Sequence, residues 1–132
     1  MDVRDLRIDD MVMVKAFQYA EKPFVVQSID DDNYVTLYNA SEGRCQVDVS
    51  SIQGYKATKP FLSQLGAWYD DAKVEHIFTF KGGLRIAIRP QLGSENYIAS
   101  RIGEYKPKFC RFTYIHELQH WLWDTYKVEI KY

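Results

Sequence analysis

The stretch that most constrains this chain is Thr113 to Tyr126, Thr-Tyr-Ile-His-Glu-Leu-Gln-His-Trp-Leu-Trp-Asp-Thr-Tyr. At 100° per residue, Ile115, Leu118, Leu122 and Tyr126 fall on one apolar stripe, with Gln119 at its edge and Trp123 beside it. Glu117 and Asp124 point the other way, and His116 and His120 share the shoulder between. The pattern predicts an amphipathic helix with one core-facing side. Thr113 is placed to cap it, its hydroxyl accepting from a first-turn amide. A helix of this kind needs an apolar sheet to lie on, and the sequence before it supplies one.

In Leu84 to Arg89 the alternation is strict: Leu84, Ile86 and Ile88 face one way, and Arg85, Ala87 and Arg89 the other. Gly82-Gly83 joins this strand to the preceding one as a hairpin turn, and Phe78 and Phe80 share a face. Tyr97 to Ile102 and Lys108 to Phe112 extend the sheet. Pro60 opens a short helix with Phe61, Leu62 and Leu65 on its apolar side, and Gly66 ends it. Trp68-Tyr69-Asp70-Asp71 reads as an exposed aromatic stretch between that helix and the sheet.

The first part of the chain reads as short strands: Met11 to Phe17, Phe24 to Ile29, Tyr34 to Tyr38 and Arg44 to Val49. They are separated by Glu21-Lys22-Pro23, Asp30-Asp31-Asp32-Asn33 and Ser41-Glu42-Gly43. The expected fold class is therefore α+β. Residues 1–58 form an SH3-like small β-barrel; residues 59–132 form a short helix, an antiparallel sheet and a C-terminal helix packed on it, in one compact unit with the barrel.

Composition bounds the function classes. No apolar run approaches the ~20 residues a membrane helix requires, and the first residues lack a basic-then-apolar leader pattern, so a cytoplasmic location is expected. Cys45 and Cys110 are far apart and outside any CxxC spacing, which points to free thiols. Net charge is −1 over 132 residues. Residues 1–71 carry 7 Lys/Arg against 12 Asp/Glu, and residues 72–132 carry 10 against 6, so the halves stand at −5 and +4. The excess of cations sits in the second half.

Three constellations bear on chemistry. His116-Glu117-Leu118-Gln119-His120 has the spacing of a zinc peptidase, in which two histidines hold the metal and the glutamate is general base. A third ligand is missing downstream, where only Asp124 and Glu129 remain. His76, Cys110 and Cys45 are upstream candidates that no spacing selects. The helix explains its own residues, so neither a metal nor another cofactor is called for. The second constellation is Arg85, Arg89, Arg101 and Arg111, placed on one sheet face if the strands are adjacent; with Tyr97 and Tyr105 nearby it suits phosphates and bases. The bland alternative is a solvated face balanced by Glu75, Glu95 and Glu104. The third is a set of aromatics, Trp68, Tyr69, Trp121 and Trp123, fit for a protein partner. Trp121 and Trp123 cannot both face one core.

Asp5-Leu6-Arg7-Ile8, Pro60 to Gly66 and Tyr114-Ile115-His116-Glu117-Leu118-Gln119 together resemble an uncharacterised family of small proteins common in Bacteroides-type genomes and their phages or mobile elements. That family opens with Leu-Arg-Ile-Gly-Asn, where this chain has Asp9-Asp10. Its last helix reads His-x-Leu-Gln-Asn followed by aromatics, matched by His116, Leu118 and Gln119 and departed from at His120. The resemblance implies that the second histidine of the zinc-like motif is not a family feature. It also implies an accessory role in a bacterial or mobile-element system, and it brings no activity with it. The expected function is a non-enzymatic accessory or binding protein with a protein or nucleic-acid partner, no membrane contact, and room for self-association through Lys127 to Tyr132.

Overall fold

The computed structural model describes residues 5–19, 21–31 and 33–132. The chain is α+β and divides into two compact units, Met1–Tyr55 with Tyr132, and Lys56–Lys131. Of the turns read from the sequence, the start of the N-terminal segment and Asp32 lie outside the described residues. No described helix is long and apolar enough to cross a membrane.

The first unit is a five-stranded antiparallel sheet: β1 (Met11–Val14), β2 (Phe24–Ile29), β3 (Tyr34–Asn39), β4 (Gly43–Asp48) and β5 (Ile52–Gly54), in the order β4-β3-β2-β1-β5. The sheet is not closed. β1 stops three residues before the expected end because Phe17–Tyr19 turns into a 3-10 helix, with the Tyr19 amide donating to the Ala16 carbonyl at 2.9 Å. β5, absent from the sequence reading, pairs with β1 through Val12↔Gly54 and Val14↔Ile52. Alternation sends Val12, Val14, Phe24, Val26, Val35, Leu37 and Ile52 into one core, joined by Leu6.

The opposite face carries Met11, Val25 and Tyr38 in one row and a polar cluster further along. There Asp30 accepts hydrogen bonds from Ser28 Oγ, Thr36 Oγ1 and Gln46 Nε2, each at 2.8 Å, and so ties β2, β3 and β4 together. The hairpin that follows β2 is an Asx turn: Asp31 Oδ1 accepts from the amides of Asn33 (2.7 Å) and Tyr34 (3.0 Å).

The second unit holds the other five-stranded antiparallel sheet, β6 (Trp68–Asp70), β7 (Glu75–Thr79), β8 (Arg85–Pro90), β9 (Tyr97–Arg101) and β10 (Phe109–Phe112), in the order β10-β9-β8-β7-β6. Two helices accompany it, α1 (Lys59–Gln64) and α2 (Ile115–Tyr126). α1 starts where proline allows it, and Thr58 Oγ1 accepts from the Phe61 amide at 3.2 Å as N-cap. The chain enters this unit at Lys56 rather than Lys59 because Lys56 bridges Tyr114 and the Ala57 amide donates to the Thr113 carbonyl at 2.8 Å. Trp68–Asp70, expected as an exposed connection, is the edge strand β6. Lys127 to Tyr132, strand-like in sequence, forms no strand.

α2 buries Ile115, Leu118 and Leu122 completely, against a sheet that buries Ile86, Ile88, Ala99 and Phe112. Fully burying a Leu or Ile contributes about 1.5–3 kcal/mol, so this seam dominates the unit. The helix ends at Lys127, whose left-handed backbone (φ 56°) lets its amide donate to the Trp123 carbonyl at 3.0 Å. Trp123 is 45% exposed and lies under the Lys127 ammonium, and Trp121 is half-buried with its ring edge against Tyr126.

Val74, in the β6–β7 turn, also has positive φ (56°) although it is β-branched and exposed. Left-handed backbone costs an L-residue about 1–2 kcal/mol, and more than usual for a branched one. Val74→Asn is expected to raise unfolding free energy by about 1 kcal/mol, read from a urea titration with unchanged slope. The hydrogen bonds from Gln46, Ser28 and Thr36 hold the Asp30 carboxyl below the usual carboxylate range. A folded-state pKa below the unfolded one stabilises the fold above the unfolded value, and that contribution is lost as pH falls through the folded one. Asp30→Asn is therefore expected to flatten the loss of stability below about pH 4, compared by denaturant midpoints at pH 7 and pH 3.

Candidate functional site

The structure brings His116 and His120 together, as four-residue spacing on a helix requires. Their ring centroids are 5.6 Å apart, edge against face, and Tyr114 stacks over His116 at 6.0 Å. His116 is buried and His120 half-buried. Glu117 is turned to another task. Its Oε1 accepts from the amides of Thr113 (3.0 Å) and Tyr114 (2.9 Å), which satisfies donors at the helix start. Thr113 is thus not the cap. Tyr114 occupies the N-cap position with extended backbone, and the Thr113 hydroxyl pairs with Asn96 Oδ1. Among the described residues no group of three or more His, Cys, Asp or Glu is arranged to hold a metal ion.

The upstream ligand candidates have other surroundings. His76 is buried on β7 against Tyr69, centroids 4.7 Å apart, and burial together with the Lys59 charge lowers its pKa. Burial pushes the Cys110 thiol up to about 11, with the Glu117 charge adding to it, and Cys45 is pushed up for the same first reason. Burial thus disfavours the thiolate form at both positions.

The arginines divide by register. Residues directly opposite one another in an antiparallel ladder share a face. Arg89 stands opposite Ile98, and Ile98 opposite Arg111, so these three form one row across β8, β9 and β10. Arg85 belongs to the same face by alternation along β8. Arg101 stands opposite Ile86 and is therefore on the helix-covered side, where its guanidinium carbon is 5.9 Å from the Tyr126 ring. The four-arginine face expected from sequence is a three-arginine face.

A second row on that face runs Trp68, Ile77, Ala87, Ser100 and Phe109 from edge to edge. Ile77 and Ala87 are buried, whereas Trp68 (61% exposed) and Phe109 (59%) are open at opposite edges. Tyr69 points to the other face, half-buried with His76. Tyr97 also lies on the helix side, stacked on Phe112 at 5.8 Å, and Tyr105 is exposed in the β9–β10 loop with the Lys106 ammonium over its ring.

The residues that converge are Arg89, Ile98, Phe109 and Arg111, which line one open depression of about 270 Å³. Its floor is apolar and its two flanks are cationic, with Arg89 and Arg111 about 10 Å apart at their Cα atoms, two strand spacings. Among the described residues no ion pair or hydrogen bond engages the side chains of Arg85, Arg89 or Arg111. Phe109 was missed in the sequence reading, although its two-residue offset from Arg111 already places both on one face of a strand. Compared with protein-family models, curated proteins and solved structures, the chain matches none.

Replacing Glu117 by Ala removes the acceptor at the helix start and is expected to cost about 1 kcal/mol in unfolding free energy. His120→Asn leaves the buried stripe untouched and is expected to change stability by less than about 0.5 kcal/mol. A thermal unfolding series on the two variants gives the comparison; a larger loss in His120→Asn than in Glu117→Ala would reverse the assignment of roles within the motif.

Proposed function

We propose that this is a non-enzymatic binding protein that holds an anionic partner on the β8–β10 surface of its second unit. The single observation carrying this reading is the depression in which two uncompensated guanidinium groups flank Ile98, with an exposed Phe109 beside Arg111. Two arginines offer forked donors that match phosphate or carboxylate oxygens. The +4 balance of residues 72–132 supplies a long-range field of the same sign. The bland reading of a solvated face explains the arginines but not the aromatic ring left open beside Arg111.

We read this binding as an accessory role, as the resemblance to small proteins of Bacteroides-type genomes and mobile elements implies. The turn at Asp9-Asp10, where that family has Gly-Asn, supports it. Asp9 has φ 73°, a conformation glycine adopts without strain, and Asp10 Oδ2 accepts from the Arg7 amide at 2.9 Å, which an asparagine oxygen also can do.

For the first unit we favour an SH3-like barrel. Three features support it: the meander order with β5 returning beside β1, the shift in register between Val26 and Ser28 that bends β2, and the 3-10 helix Val49–Ser51 just before β5. Residues of β4 (Cys45 to Asp48) and of the β1 end (Val14 to Ala16) line one depression although the strands are not neighbours in the sheet, as a curled sheet requires.

Retention on a heparin column tests the binding surface. The Arg89→Ala/Arg111→Ala double variant is expected to elute at markedly lower salt than the parent, while Arg101→Ala, which lies on the other face, elutes close to it. Equal shifts per charge removed would show that net charge and not this surface governs retention.

A further inference from the structure

The depression on β8–β10 holds more information than its charge. Resting on the anionic-partner reading above, we propose that its ligand is single-stranded nucleic acid, with one base stacked on Phe109 and the adjoining phosphates held by Arg111 and Arg89.

Phe109 is the discriminating residue. It is 59% exposed on the sheet edge, stands opposite Ser100, and shares a face with Arg111 two residues on. An aromatic ring lying open on a strand offers a π-face to a flat partner. Bases in a duplex have both faces occupied by their neighbours, so only an unpaired base can use it. A polyanion without rings, such as a sulfated sugar or an acidic peptide tail, uses the arginines and leaves the phenyl group wet.

The arrangement of the cations agrees. Arg89, Ile98 and Arg111 form a row perpendicular to the strands, and Phe109 lies one step along β10 from that row. A chain crossing the strands thus meets a guanidinium, an apolar floor, and a second guanidinium with a ring beside it. Arg85 continues the cationic face along β8 and provides a third phosphate contact. The depression is open to solvent. Its volume of about 270 Å³ has room for a stacked ring system. Stacking is tolerant of base identity, so weak sequence preference is part of the inference.

The experiment is fluorescence anisotropy of labelled oligo-dT of twelve nucleotides, the matching dA·dT duplex, and heparin as competitor, on the full chain at several salt concentrations. The single strand is expected to bind at least ~10-fold more tightly than the duplex, and Phe109→Ala to weaken it about 10-fold, with Phe109→Trp retaining binding. The slope of log K against log salt is expected near −2 for about three phosphates, falling by roughly 0.7 with each of Arg89→Ala and Arg111→Ala. Phe109 is exposed, so loss of fold does not account for its effect, and Arg101→Ala is the control for charge alone. Equal affinity for strand and duplex, or no effect of Phe109→Ala while the arginine variants still lose heparin, overturns the single-strand inference and leaves the anionic-partner reading standing. Heparin retention that depends on Arg89 and Arg111 without any oligonucleotide binding does the same and points to an acidic protein. Loss of both heparin and oligonucleotide binding in the parent protein removes the two readings together.

Discussion

A β-strand can turn only every second side chain toward a given neighbour, and the second unit is arranged around that limit. Ile86, Ile88, Ala99 and Phe112 must share the side that α2 covers with Ile115, Leu118 and Leu122, because all seven are nearly or fully removed from water. Once they do, Arg89, Ile98 and Arg111 are forced to the opposite side, in one row and unable to reach the helix. The candidate site is thus a consequence of how the core is packed. A slip of one residue in β8 would exchange the arginines with the isoleucines, at a cost in buried apolar area that no surface contact offsets. The register that stabilises the fold also fixes the spacing of the cations.

The same economy shapes the zinc-like motif. Four-residue spacing on a helix brings two side chains together whatever they do, so His116 and His120 meet as rings, with Tyr114 completing the stack. The glutamate between them serves the backbone. At the third position of a helix a carboxylate has two backbone donors within reach, and Glu117 accepts both. Both bonds fall on Oε1, so that oxygen is engaged at the helix start. The motif reads as the start of a helix followed by a ring stack.

Much of this architecture was legible because it rests on period and punctuation. The apolar stripe of α2, the alternation in β8, the Gly82-Gly83 turn with both φ near 90°, and the proline at the start of α1 all have local signatures. What was illegible depends on partners distant in sequence. β5 and β6 have three residues each, too few to show a period, and exist because β1 and β7 offer them ladders. Arg101 looked equivalent to the other arginines because alternation within β9 does not say which residue of β8 it opposes; pairing with Ile86 puts it under Tyr126. Left-handed backbone at Val74 and Lys127 had no signal, since neither residue is one that prefers it. Phe109 was readable from its offset to Arg111, but its exposure depends on β10 being the edge of the sheet.

A charge census gives a nearly neutral molecule, and by that measure an anionic partner has little to attract it. The census averages over surfaces that a ligand never touches together. Asp30 and Asp48 in the first unit spend their carboxylates on neighbouring side chains and amides, with the result that both titrate below the usual range. Arg85, Arg89 and Arg111 make no such internal pairing among the described residues. Exposed arginines alone are ordinary, and an exposed phenylalanine alone is also ordinary. Their convergence on one depression differs, because each supplies what the other lacks: cations give range and no shape, and the ring gives shape and no range. A ligand that satisfies both at once carries negative charge and a flat unsaturated ring within one residue's reach, which is the requirement the single-strand proposal meets.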